Sequence, residues 1–166
     1  SIFERVEKLR DLMAEKNMEA YIVPTSDPHQ SEYLADFYKS RQYISGFTGS
    51  AGTAVITMDK AGLWTDGRYF IQAEDELKNS PFKLYRMGED INYIEFLKEE
   101  VSEFGKVGVD GRVLSLELYN HINKEIGSRL LVTNSDLISD IWTDRPALDQ
   151  SKLWILDDKY TGKSYQ

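Results

Sequence analysis

Apolar positions recur at helical steps in several stretches of the chain, and short unbroken apolar runs lie between them. Phe3, Val6, Leu9 and Met13 stand three or four residues apart, with Glu4, Arg5, Glu7, Lys8 and Arg10 facing away. This spacing predicts an amphipathic helix ending near Asn17. Ala20 to Val23 is an apolar run closed by Pro24, and it reads as a buried central strand. Thr53 to Met58 alternates. Asp59-Lys60-Ala61-Gly62 supplies a turn, and Leu63-Trp64-Thr65 returns, so a β-hairpin is expected. Asp66-Gly67 then opens a helix striped by Tyr69, Phe70, Ala73 and Leu77 and stopped by Pro81.

Phe82 to Arg86 reads as a strand. Ile91 to Phe104 reads as a helix with Ile94, Leu97, Val101 and Phe104 on one face and Gly105 as its stop. Val107-Gly108-Val109 is a short strand. Ser115 caps a helix carrying Leu118, Ile122 and Ile126, and Gly127 ends it. Leu130 to Val132 is a last strand and Asp136 to Ile141 a short helix. Ser31 to Lys39 is expected to form a short helix, Arg41 to Phe47 shows no clear period, and Gly46 to Gly52 is a glycine-punctuated loop. Helices alternating with short apolar strands imply an α/β fold: a β-sheet covered by helices, made mixed by the hairpin. No internal repeat and no low-complexity segment stands out.

At 166 residues the chain suits one domain with its own core. After Pro146 the composition turns polar around a lone Leu153-Trp154-Ile155-Leu156 run. Residues 3–146 therefore read as one domain, and 147–166 as a linker with the truncated start of a second. Twenty Lys and Arg against twenty-eight Asp and Glu give a net charge of −8, with no basic stripe, which argues against nucleic acid as a partner. No apolar run approaches the ~20 residues of a membrane span. The charged start, Glu4-Arg5-Val6-Glu7-Lys8, does not read as a signal peptide. There is no cysteine, which fits a reducing, cytoplasmic location.

Candidate chemistry is sparse. His29 and His121 are the only histidines. Asp27, His29 and Glu32 are close enough in sequence to share a metal, but the spacing matches no established site, and a loop histidine making hydrogen bonds is the simpler reading. His121 belongs on a solvated helix face. Gly49-Ser50-Ala51-Gly52 is not the G-x-S-x-G of a nucleophile elbow. Gly162-Lys163-Ser164 lacks the first glycine of a P-loop. A nuclease of the ribonuclease H type would need carboxylates on its central strand, and Ala20 to Val23 holds none. The densest segment is Leu63-Trp64-Thr65-Asp66-Gly67-Arg68-Tyr69-Phe70. There Arg68 could present its fork to a carboxylate or carbonyl; otherwise Asp66 caps a helix and Arg68 makes a surface salt bridge.

Four segments taken together carry a resemblance. They are Tyr21-Ile22-Val23-Pro24 with Ser26-Asp27-Pro28-His29-Gln30-Ser31-Glu32-Tyr33, then Ile44 to Ala54, then Leu63 to Phe70, then Ile141-Trp142-Thr143-Asp144-Arg145-Pro146. In this order and spacing the chain resembles the N-terminal, creatinase-like domain of the cytosolic three-domain Xaa-Pro aminopeptidases (aminopeptidase P, peptidase family M24). The resemblance covers about residues 3–146, and Tyr160-Thr161-Gly162-Lys163-Ser164 resembles the opening of that family's second domain.

The resemblance implies a creatinase N-terminal fold with ribonuclease H-like topology. It implies a parent hydrolase that removes an N-terminal residue preceding proline, using two divalent metals, commonly manganese, in a separate catalytic domain. This fragment alone is then expected to be inactive, with no catalytic residue and no metal ligand of its own. It would restrict substrate access and contribute to peptide binding and assembly. By the same resemblance Arg68 reaches toward the bound peptide, Asp66 and Gly67 shape its turn, and His29 sits in a matching motif without an assigned role. The implied partners are peptides with proline second, the protein's own second and catalytic domains, and a second copy in a homodimer. A creatinase-like protein that has lost catalysis and serves as a protein-interaction domain is the alternative.

Overall fold

The computed structural model describes residues 1–163. Among the described residues there are six strands: β1 (Ala20–Pro24), β2 (Thr53–Thr57), β3 (Ala61–Thr65), β4 (Phe82–Arg86), β5 (Val107–Asp110) and β6 (Leu130–Thr133). They form one sheet in the order β4-β3-β2-β1-β5-β6. β2 is antiparallel to β1 and β3, whereas β3 with β4, β1 with β5, and β5 with β6 are parallel. The β3-β2-β1-β5-β6 portion, with β2 alone reversed, is ribonuclease H-like topology, and β4 extends it at one edge.

The helices are α1 (Ile2–Glu15), α2 (Ser40–Ser45), α3 (Phe70–Glu76), α4 (Tyr93–Glu100), α5 (Leu116–Ile126) and a short α6 (Asp158–Thr161). Side chains of a strand alternate between faces, so the central strand feeds two cores. Tyr21 and Val23 of β1 pack with Val6, Leu9 and Met13 of α1 on one face. Ala20 and Ile22 pack with Leu97 of α4 and Ile122 of α5 on the other. β1 is therefore buried on both sides, as its apolar run predicts.

The expected elements are present, with informative shifts. Phe3 is half exposed, so the buried stripe of α1 begins at Val6. Ala61 and Gly62 belong to β3 rather than to the hairpin turn, which Thr57 and Lys60 close through paired backbone and hydroxyl hydrogen bonds. Ser31 to Lys39 holds only a single 3₁₀ turn at Asp36–Tyr38, and the helix forms one step later as α2. Its buried residues are Ser40, Arg41, Ile44 and Ser45, so its inward face is mostly polar and a single apolar residue gives no period.

The helix expected to run to Phe104 ends at Glu100. The Glu19 carboxylate takes the Ser102 N–H at 2.8 Å, which pulls the chain out of helical pairing and leaves Phe104 exposed. Gly105 is thus not a helix stop. A Cβ there would lie 2.4 Å from the Glu19 carboxyl carbon, so glycine lets that carboxylate reach across. Ser115 and Gly127 do bracket α5 as expected. In the stretch expected to open a second domain, Leu153, Trp154 and Ile155 are exposed, and Ser164 lies outside the described residues. No helix among the described residues is long and apolar enough to cross a membrane.

Candidate functional site

Five strands run in one direction, so the segments that follow β1, β3 and β5 and the one that precedes β2 meet at one edge of the sheet. In open α/β sheets ligand crevices lie at the carboxyl ends of the strands. Here that edge carries a groove of about 330 Å³ lined by Pro24, Thr25, Gln30, Ser50, Asp66 and Val113, among others. Three of the sequence blocks singled out above converge on it.

Trp64 anchors the third block. Its ring is buried, stacks on Tyr85 at 4.2 Å between centroids, and donates its indole N–H to the Ile91 carbonyl at 2.8 Å. Thr65 then donates its hydroxyl to the Ala51 carbonyl at 2.7 Å, tying this block to the loop before β2. The next residue, Asp66, does not cap a helix: α3 starts only at Phe70, with no side-chain cap. Its carboxylate accepts the Arg68 N–H at 3.1 Å and grips the Arg68 guanidinium through Nε and Nη2, both at 2.8 Å.

Arg68 keeps 69% of its side-chain surface exposed in that grip. Its guanidinium pulls the Asp66 carboxyl down to about 2, outweighing partial burial, and Asp66 in turn raises the arginine further. The pair is therefore ionised across ordinary pH, with the arginine aimed and unburied. Gly67 is exposed, and a Cβ on it would meet only the Phe70 ring, at 3.9 Å.

His29 is exposed in the loop after β1. The Asp27 carboxylate accepts the backbone N–H groups of His29 and Ser31 at 2.9 and 3.0 Å. Burial opposes the Asp27 charge, but those donors outweigh it and hold the carboxyl below its usual range. Asp27 is thus a turn-forming residue. Among the described residues no group of three or more His, Asp or Glu is placed to hold a metal ion. His121 is exposed on α5. The serine of the glycine-rich loop, Ser50, hydrogen-bonds the Tyr69 hydroxyl rather than a histidine.

Two arginines scaffold the edge, and only Arg145 lies in one of the blocks singled out above; Arg41 leaves no pattern in the sequence. Arg41 is buried, donating Nε to Thr25 Oγ1 at 3.0 Å, Nη1 to the Phe47 carbonyl at 2.5 Å and Nη2 to the Gly49 carbonyl. Burial pulls it down to about 10 against the opposing charge of Glu76, so it stays a cation at neutral pH. Arg145, in the fourth block, bonds Asp136, Ser139, Ser40 and the Phe37 carbonyl, while Trp142 stacks on Tyr43. These clasp the end of the fold to α2.

Comparison with known proteins agrees with this architecture. The family described as Creatinase/Prolidase N-terminal domain matches residues 5–141. A Laccaria bicolor protein named "Probable Xaa-Pro aminopeptidase P" is 40% identical over 98% of this chain and 26% of its own length. Aminopeptidase P2 of Arabidopsis thaliana is 41% identical over 96% of this chain and 24% of its own. The structure of X-prolyl aminopeptidase from Caenorhabditis elegans, described as a cytosolic enzyme with a di-nuclear active site, superposes with a TM-score of 0.87. It is 33% identical over 99% of this chain and 29% of that one. The chain thus spans about a quarter of the length of the curated relatives it matches. With a matching fold and a family match over residues 5–141, the chain belongs to the creatinase/prolidase N-terminal domain family.

Proposed function

We propose that this chain is the non-catalytic N-terminal domain of a metal-dependent Xaa-Pro aminopeptidase, restricting substrate access and contributing to peptide binding and assembly. The observation that carries the reading is the Asp66–Arg68 pair. An exposed guanidinium, fixed by a carboxylate at the ligand-binding edge of the sheet, is suited to receive a carboxylate or carbonyl of a short peptide. On a chain of net charge −8 it is also a local attraction for the anionic end of a peptide.

Two divalent metals, manganese in this reading, lie outside this chain and supply the activated water and a Lewis acid for the scissile carbonyl. This chain's residues do none of that chemistry. Arg68 binds and orients, Asp66 holds Arg68, and the loops carrying His29 and Ser50 narrow the approach. The exposed Leu153-Trp154-Ile155-Leu156 run supports packing against further domains of the same protein, with a homodimer in the cytoplasm as the assembled form.

The test is Arg68→Ala in the full-length protein, assayed with short Xaa-Pro peptides and metal analysis. KM should rise about tenfold, the worth of one charge-assisted contact, while metal content stays unchanged. Unaltered kinetics would remove Arg68 from the site.

A further inference from the structure

The tripeptide Asp-Gly-Arg occurs twice in the chain, at 66–68 and at 110–112. The two copies adopt the same arrangement. Arg112 donates its backbone N–H to Asp110 at 3.0 Å, and its Nε and Nη2 grip the same carboxylate at 3.1 and 2.9 Å. The corresponding distances at Asp66 are 3.1, 2.8 and 2.8 Å. A guanidinium has two edges that offer paired donors. In both turns aspartate takes the Nε–Nη2 edge, and among the described residues no hydrogen bond takes the Nη1–Nη2 edge. Arg112 keeps 46% of its side-chain surface exposed while Asp110 is buried beneath it.

Both turns sit on the same side of the molecule. β3 and β5 run in the same direction, and each turn lies at the carboxyl end of its strand. Three strand spacings separate them, about 14 Å at ~4.8 Å each. The 330 Å³ groove lies between them, lined by Asp66, Ser50, Thr25, Gln30 and Val113, the residue after Arg112, and Arg112 itself lines the adjoining cavity with Tyr38, Asp110 and Asp136. Gln30 donates its side-chain amide to the Val113 carbonyl at 3.3 Å, which joins the loop after β1 to the second turn.

We propose that Arg112 is a second carboxylate-binding site, so that the groove accepts an extended acidic peptide with one carboxylate on Arg68 and another on Arg112. At ~3.3 Å per residue, a span of about 14 Å places the two acids about four residues apart. The two-point ligand rests on the reading of Arg68 given above; the Arg112 site stands on its own geometry.

The test is an NMR titration of the ¹⁵N-labelled chain with three blocked glycine peptides: one with two glutamates four residues apart and two with a single glutamate each. The di-acidic peptide should shift amides 67–69 and 111–113 together and bind about tenfold tighter than either control, because the second contact is intramolecular. Arg112→Gln should abolish that tenfold gain. Arg112→Lys keeps a cation beside buried Asp110, and so protects the fold, but lacks the paired edge and should lose the gain as well. No shift at 111–113, equal affinities for the three peptides when both turns shift, or a gain that survives both substitutions would overturn the proposal. Shifts at 111–113 with none at 67–69 would uphold the Arg112 site and overturn the Arg68 reading instead.

Discussion

Arg145 closes over Asp136 at 3.2 Å, with only 9% and 8% of their side-chain surfaces exposed. The carboxylate also takes the Ser40 hydroxyl and the Ile138 N–H, and the Tyr21 hydroxyl lies 3.4 Å away. Burial, with the Asp136 charge second, pushes the Tyr21 hydroxyl up, so it remains a donor. Removing the cation alone strands a buried anion. Arg145→Ala should therefore destabilise the chain by about 3–5 kcal/mol, read as a lower urea midpoint. Adding Asp136→Asn should return part of that loss; a double variant no more stable than Arg145→Ala would show that packing, not charge pairing, holds this corner.

Arg41 poses a different problem, because no carboxylate is hydrogen-bonded to it. Its stabilising partners are the Phe47 and Gly49 carbonyls and the Thr25 hydroxyl, which fix the loop before β2. Arg41→Ala leaves buried acceptors unpaired and should cost roughly 3 kcal/mol. Arg41→Lys keeps the charge but cannot reach three acceptors at once, so most of the loss should remain. Full recovery of the urea midpoint by lysine would show that charge alone matters.

How far the sequence reveals this fold depends on which forces leave a pattern. Val6, Leu9, Met13 and Ile22 are placed by burial, and burial writes itself as periodicity. Helix α2 turns Ser40, Arg41 and Ser45 inward beside a single buried apolar residue, Ile44, and Ser40 pairs with Asp136, 96 residues away, so its face has no readable apolar period. Phe104 continues a helical period that the Glu19 carboxylate cuts short, a contact across 83 residues that no local window contains. The site divides the same way. The Trp64-to-Arg68 segment stands out because strand, turn and helix residues crowd together. The like turn at Arg112 repeats only three letters, and its relation to Arg68 exists only once β3 and β5 are laid in one sheet.

The Asp66–Arg68 pair makes a pH prediction. A carboxyl held down to about 2 in the fold, against ~3.9 when unfolded, contributes stability that is fully present above the unfolded value. That contribution is lost as pH falls through about 2. A ¹³C carboxyl titration should place the Asp66 midpoint near 2. In Arg68→Ala the midpoint should rise, because burial then opposes the charge with only the backbone N–H of residue 68 still donating to it. A midpoint at the unfolded value in the unsubstituted chain would mean that the pair does not form in solution.

The two glycines of the Asp-Gly-Arg turns should respond differently to a methyl group. A Cβ on Gly111 would lie 2.5 Å from Val132 Cγ1 and 3.1 Å from the Thr133 carbonyl, so the Val132 side chain must move and the carbonyl must give by a few tenths of an ångström. Gly111→Ala should cost about 1–3 kcal/mol. A Cβ on Gly67 meets open space apart from Phe70, so Gly67→Ala should change stability by no more than about 0.5 kcal/mol. Glycine at 67 therefore has no packing reason within this chain. Its small size leaves the approach to Arg68 open, and Gly67→Ala should raise KM for short Xaa-Pro peptides in the full-length protein without lowering the melting temperature. Equal thermal losses for the two variants would show that Gly67 is as structural as Gly111, and unchanged kinetics would show that nothing passes over it.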